Sequence, residues 1–203
     1  MSGPQDTTGI VAADGRVARR ERNINTVLDV ILEMFAEESL FPTIEQAATR
    51  SGLSLRSIYR YFADPGELLE AAIVRSREKG AELARLPGIG RGPLPKRIDD
   101  FVAMRLRVYE EVGPMYRATV VNAASKPQIQ EELTRVRNEF REQFVLQFAA
   151  ELKGRKPADR AAALAAGDLL TQLDSIDFLQ CHRRLSIADT ATAIRSALRP
   201  LLR

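Results

Sequence analysis

The 203-residue chain contains one cysteine, Cys181, and one histidine, His182. A lone cysteine excludes an internal disulfide framework, and the adjacent pair cannot by itself supply the ligands of a usual zinc site, so no metal ligands are expected. One imidazole also removes most hydrolase triads, which need a histidine beside the nucleophile. No apolar run approaches the roughly 18 residues that a bilayer demands. The opening MSGPQDTTGIVAADG lacks the basic start and apolar stretch of a signal peptide, so residues 1–15 read as a disordered tail on a cytoplasmic protein.

What remains is a folded composition, 45% hydrophobic and 28% charged, long enough for one ordinary domain or two small ones. The net charge of +3 points only weakly to an anionic partner. It is also uneven: residues 1–80 hold ten Arg and Lys against twelve Asp and Glu, while residues 81–203 hold twenty against fifteen. DNA binding would therefore have to rest on local charge.

The patterning is helical throughout, giving an all-α fold. From Arg16 to Ser39, Ile24, Val27, Leu28, Ile31, Leu32 and Phe35 form one amphipathic stripe. The start of that helix is basic, with Arg16, Arg19, Arg20 and Arg22 against Glu21 alone; the cluster serves either solubility or an arm toward a DNA backbone or minor groove. Phe41-Pro42 ends it. Thr43 and Gln46 have capping-box spacing for a second helix that Gly52 closes. Ser54 caps a third helix, Leu55 to Phe62, and Asp64-Pro65-Gly66-Glu67 starts a fourth that runs to about Gly80. A small Ala48 at the crossing, with Leu53 and Ile58 beneath the corner, fits a helix-turn-helix. The outer face of its second helix carries Leu55, Arg56, Ser57, Tyr59 and Arg60, and no acid lies between Ala47 and Ala63. Guanidinium and hydroxyl groups suit base edges and phosphates.

The run TIEQAATRSGLSLRSIYRYFADPGELLEAAI, with its Ser-x-x-Ser-Ile-Tyr-x-Tyr-Phe block and following Glu-Leu-Leu, resembles the DNA-binding segment of the TetR family of bacterial regulators. The resemblance covers about the first third of the chain. It implies a homodimer with an N-terminal DNA-binding domain and a C-terminal helical domain that holds a small-molecule effector. Carried over by position, Thr43, Ser57, Tyr59 and Tyr61 are implied phosphate contacts, and Leu55, Arg56 and Arg60 implied readers of bases, with Ser54 added to the set. Where many members have lysine at the start of the fourth helix, this chain has Pro65, so that phosphate contact is missing or is supplied by backbone.

A Gly- and Pro-rich segment, residues 86–95, follows. Its Gly88-x-Gly90-x-Gly92 spacing lacks the strand before and the Lys-Ser/Thr after that a phosphate cradle needs, so it reads as a loop. Beyond it come about five helices: 96–112, buried on most sides; a short one from Pro114 to about Ala124; a long one from Pro127 with Ile129, Leu133, Val136, Phe140, Phe144 and Phe148 on one face; one over 158–181, rich in alanine at its start; and a last one from Ser186. The last repeats Ile187, Ala191, Ile194, Leu198 and Leu201 as a narrow seam suited to helix pairing. The expected division is 16–64 for the DNA-binding domain and 65–203 for the effector-binding and dimerisation domain, with the fourth helix connecting them. Leu169, Leu173, Ile176, Ile187, Ile194 and Leu198 are the expected dimer contacts.

Polar groups within the helical body are the pocket candidates, because an uncompensated buried charge is costly. Phe101, Arg105, Tyr109, Tyr116, Phe144, Asp174 and Phe178 form the expected effector set, with Arg117, Gln172 and Asp177 as further polar candidates. An inward Arg105 or Arg117 favours an acidic or acyl-type effector, and an inward Asp174 or Asp177 a cationic one. The function expected is a DNA-binding transcriptional regulator, a repressor on an inverted-repeat operator of double-stranded DNA, with no cofactor, no catalytic residues and no membrane. The alternative is a helical small-molecule enzyme or protein-interaction module in which the helix-turn-helix is only structural.

Overall fold

The computed structural model describes residues 8–38 and 42–203, leaving aside the side chains of residues 8–14, Arg16 and Glu38. Every regular element among them is helical: α1 Thr8–Glu38, α2 Ile44–Ser51, α3 Leu55–Tyr61, α4 Pro65–Leu83, α5 Leu94–Ala123, α6 Pro127–Gln147, α7 Ala149–Lys153, α8 Pro157–Thr171, α9 Leu173–Asp177, a π-helical turn Phe178–His182, and α10 Ile187–Leu201. None is long and apolar enough to cross a membrane. The chain divides into two compact units after Arg75, with α4 continuous through the division.

The first unit is built by local signals. Thr43 and Gln46 form the reciprocal capping box: the Thr43 N–H donates to Gln46 Oε1 (2.8 Å) and the Gln46 N–H to Thr43 Oγ1 (3.2 Å). Gly52 closes α2 at φ 71°, the left-handed region where a Cβ is penalised. Ser54 caps α3 by accepting from the Ser57 N–H (3.2 Å). At α4, Asp64 Oδ1 accepts from the N–H groups of Gly66 (2.6 Å) and Glu67 (3.0 Å), and Glu67 Oε2 answers the Ala63 N–H (2.6 Å). Helices α1, α2 and α3 pack together over Val27, Ile31, Ile44, Ala47, Ala48 and Ile58, all buried. Leu53 is half-buried at the corner, and Phe41 lies outside the described residues.

Two expectations change here. α1 begins at Thr8, inside the stretch that the sequence reads as a tail. No proline stands in that stretch, and Ala12, Ala13 and Ala18 favour the helix, although Gly9 and Gly15 each cost it about 1 kcal/mol. The boundary also moves from residue 64 to residue 75, because the first half of α4 belongs to the first unit. Leu68, Leu69, Ala72 and Ile73 are buried, and Arg75 donates from Nε and Nη2 to Asp29 of α1 (3.1 and 3.3 Å).

In the second unit α5 is central, packing against α6, α9 and α10. It is one helix, not two: Pro114 lies inside it. Proline removes the bond to the Glu110 carbonyl, but Glu110 is exposed to water, and Gly113 has no Cβ to clash with the proline ring. The same missing Cβ receives the Tyr109 ring, whose carbons would lie 3.1–3.3 Å from it. The single helix expected over 158–181 is instead broken at Gln172, which is extended (φ −72°, ψ 154°), into α8, α9 and the π turn. Gln172 Nε2 donates to the Arg137 carbonyl (3.1 Å) and Asp168 Oδ1 (2.5 Å), so tertiary bonds hold a bend that no glycine or proline announces. The Phe stripe of α6 is core. Phe101, Phe144 and Phe148 are fully buried with centroids 4.9–5.9 Å apart, and α8 reaches Phe144 through Gly167.

Candidate functional site

The α2–turn–α3 corner leaves one face of α3 open. Leu55 and Tyr59 are 41% and 50% exposed, and the exposed Arg56 and Arg60 flank them. Ser54 Oγ and Ser57 Oγ lie 2.9 Å apart, and Thr43, whose oxygen accepts from Gln46, keeps its O–H free to donate. The structure thus brings Leu55, Arg56, Tyr59 and Arg60 onto one acid-free surface, with Ser54 and Ser57 at its N-terminal end and Thr43 at the start of the preceding helix.

Tyr61 does not join them. It is 8% exposed, and its hydroxyl accepts from Asn23 Nδ2 and Arg60 Nη2, both at 3.1 Å. These bonds, Asn23 first, lower the phenol below its ordinary pKa. Arg20 and Arg60 also lie over its ring, at 5.9 and 5.2 Å. The sequence-based phosphate role of Tyr61 is therefore replaced by a role in joining α1 to α3. Arg50 lies in α2 and pairs with Glu37 through both nitrogens (2.6 and 2.5 Å). In the basic cluster Arg19, Arg20 and Arg22 are exposed, and the side chain of Arg16 lies outside the described residues.

In the second unit most polar candidates answer one another. α5 and α9 carry two parallel clamps: Tyr109 Oη donates to Asp177 Oδ1 and Tyr116 Oη to Asp174 Oδ2, each at 2.6 Å. Arg117 reaches Asp177 at 3.3 Å and also donates to Tyr109 Oη at 3.0 Å. Arg137 of α6 grips Asp174 at 2.6 and 3.2 Å. Burial, reinforced by the facing aspartates, pushes both phenols well above their usual range. Burial also works to raise Asp174, but the bonds from Arg137 and Tyr116 outweigh it and hold that carboxyl low. Arg105 and Asp174 do not pair. Arg137, which sequence reasoning missed, could have been sought only as a counter-charge for Asp174.

Arg105 stands apart. It is 1% exposed, with its guanidinium carbon 3.9 and 4.5 Å from the centroids of the Phe140 and Phe101 rings. Nη1 donates to Gln143 Oε1 (2.6 Å) and points at Met104 Sδ (3.7 Å), and Nη2 donates to the Phe140 carbonyl (2.9 Å). Its Nε has no partner, and burial draws its pKa down to about 9. Gln143, also missed, sits beside the aromatic stripe of α6 and donates onward to the Ala84 carbonyl just past α4 (2.6 Å). Of the remaining effector candidates, Phe101 and Phe144 are core, while Phe178 is 46% exposed and stacks on His182. An open cleft of about 420 Å³ on α5 and α10 is lined by Asp99, Thr192, Arg195, Ser196 and Arg199, none of them an expected effector residue.

The expected dimer contacts divide sharply. Leu173, Ile176, Ile194 and Leu198 are at most 2% exposed within the single chain, so they belong to its own core and not to a subunit interface. A 3.5-residue seam cannot tell the two uses apart, because α10 buries it against α5 and α8. Leu169 and Ile187 are 65% and 46% exposed. Beside them Ala161, Ala162 and Ala165 of α8 and Ala188 of α10 also face solvent.

No family model matches the chain, and no curated protein is significantly similar to it. Its fold is that of solved TetR-family regulators. A TetR-family transcriptional regulator from Streptomyces coelicolor superposes with a TM-score of 0.72 at 21% identity, over 89% of this chain and 80% of that one. A regulator from Rhodococcus sp., described as putatively of the TetR family, gives 0.71 at 14%, over 90% and 100%. The multidrug binding protein EbrR complexed with imidazole gives 0.61 at 15%, over 91% and 89%.

Proposed function

We propose that this chain is a DNA-binding transcriptional regulator, a repressor that binds an inverted-repeat operator as a homodimer and is released by a small molecule held in the second unit. The observation that carries this reading is the α3 face: the exposed Arg56 and Arg60, the latter also bonded to Tyr61 Oη, with an exposed tyrosine and an exposed leucine, on a helix capped at both ends and backed by a buried core. Guanidinium and hydroxyl groups beside exposed apolar side chains on one helix face suit contact with phosphates and base edges. The fold shared with TetR-family regulators supports the same reading, and a neighbour described as a multidrug binding protein supports a small-molecule ligand.

The pairing surface we assign is the outer face of α8 and α10, where Ala161, Ala162, Ala165, Leu169, Ile187 and Ala188 permit close helix approach. Paired heads would present two α3 helices to successive major grooves about 34–36 Å apart, hence the inverted repeat. Effector binding acts only through its differential affinity for the DNA-competent state, and α4, continuous from one unit into the other, is the element that carries the difference.

The test is the Arg56→Ala, Arg60→Ala double variant. Both side chains are exposed, so the fold should persist by circular dichroism, while operator affinity falls at least about tenfold per lost base contact. Undiminished sequence-specific binding would move the interface elsewhere and favour the reading of the helix-turn-helix as scaffold.

A further inference from the structure

The second unit buries two arginines on α5, two turns apart, and treats them differently. Arg97 is fully answered: it pairs with Glu151 of α7 and donates to the carbonyls of Gly92 (3.0 Å) and Gln147 (2.6 Å). Among the described residues Arg105 has no carboxylate within ion-pair distance. Its partners are a neutral amide, a backbone carbonyl and a thioether, and its Nε–H is unanswered. The charge of Asp168 favours the Arg105 cation, but Asp168 is engaged by Gln172 (2.5 Å) and Arg141 (3.8 Å). A guanidinium left in this state pays desolvation without the Coulombic return that an anion would give. The two acids of this unit that a cationic ligand would need, Asp174 and Asp177, are already held by Arg137 and Arg117.

The surroundings define the rest of the ligand. The Phe101 and Phe140 rings lie against the Arg105 guanidinium, and Phe144 and Phe148 extend the aromatic wall from Phe101. A planar acid with an apolar body matches a guanidinium edge set in aromatic walls, since carboxylates take two parallel N–H bonds from one arginine. We propose that the effector is an apolar monocarboxylate whose acid group is taken by Arg105, through its free Nε–H and the Nη1 that Gln143 now occupies. This rests on the reading of the second unit as the effector-binding part. Gln143 is half-buried and can swing out, and its release of Arg105 bears on its other bond, to the Ala84 carbonyl at the end of α4. Carboxylate binding is thereby coupled to the connector helix.

The experiment is calorimetric titration of the full-length protein with sodium octanoate and 3-phenylpropionate, each beside its neutral amide. Each carboxylate is expected to bind about ten- to hundredfold more tightly than its amide, the scale of hydrogen bonds to a charged group. Arg105→Met, close in length and apolar, should fold and remove that preference while keeping the amide affinity. The comparison on the unaltered protein needs no variant and stands if the variant fails to fold. Equal binding of acid and amide, a preference that survives in Arg105→Met, or no binding by either acid would overturn the proposal. Release of operator DNA by tetrabutylammonium but by neither acid would also overturn it and leave the regulator reading standing. Arg105-dependent binding of acid without change in DNA affinity would sustain the site and overturn its regulatory role.

Discussion

At Gly167, α8 comes so close to the Phe144 ring that a Cβ built there would lie 2.0 Å from Cζ. Phe144 is fully buried and has nowhere to retreat. Gly167→Ala should therefore destabilise the protein by about 1–3 kcal/mol, the usual cost of overpacking, although alanine is the better helix former. Chemical denaturation measures this, and an unchanged or raised midpoint would mean that the aromatic cluster is loosely packed. In the sequence Gly167 closes a run of alanines and looks like part of a subunit contact. Its use inside the chain was not legible, because small residues permit close approach without naming the partner. Tyr61 is a comparable case. Its place in the motif is plain in the sequence, but the bond from Asn23 that ties it inward comes from α1, 38 residues away.

Among the elements, α2, α3 and the start of α4 were readable because their signals are local: a cap, its reciprocal partner and a glycine at φ 71° all lie within a few residues. The α8–α9 break was not, since it is imposed by α5 and α6 through Tyr116, Arg137 and Gln172. The Asp174 clamp has a pH signature. Its carboxyl is held below the ordinary value of 3.8, so the stability it contributes is complete above that value and is lost as pH falls through the lower, folded one. Asp174→Asn should accordingly be less stable than the unaltered protein at neutral pH. The gap should narrow as pH drops below about 4, where the native carboxyl protonates too. A gap constant from neutral to strongly acidic pH would mean that the charge of Asp174 contributes nothing.

For the whole molecule, the all-α architecture with an N-terminal helix-turn-helix and a larger helical unit was legible from periodicity and caps, and the solved neighbours share that fold. The subunit surface was only half legible, because a residue on an apolar stripe is either consumed inside its own chain, as Leu198 is, or left outside, as Leu169 is. Leu169→Lys places a charge on the proposed pairing face without touching the core. It should yield a folded monomer by sedimentation with operator affinity reduced at least tenfold, roughly the loss expected when two half-sites are no longer bound together. A dimer that persists would locate the pairing surface elsewhere.

Sequence-specific DNA reading by a dimer is measured most directly by selection with the purified protein from a random double-stranded DNA pool, followed by sequencing of the bound fraction. Enrichment of a two-fold symmetric motif whose half-sites are spaced by about one helical turn or a multiple of it is expected, as is loss of that enrichment in the Arg56→Ala, Arg60→Ala protein. A folded, dimeric protein that enriches no motif would contradict sequence-specific reading.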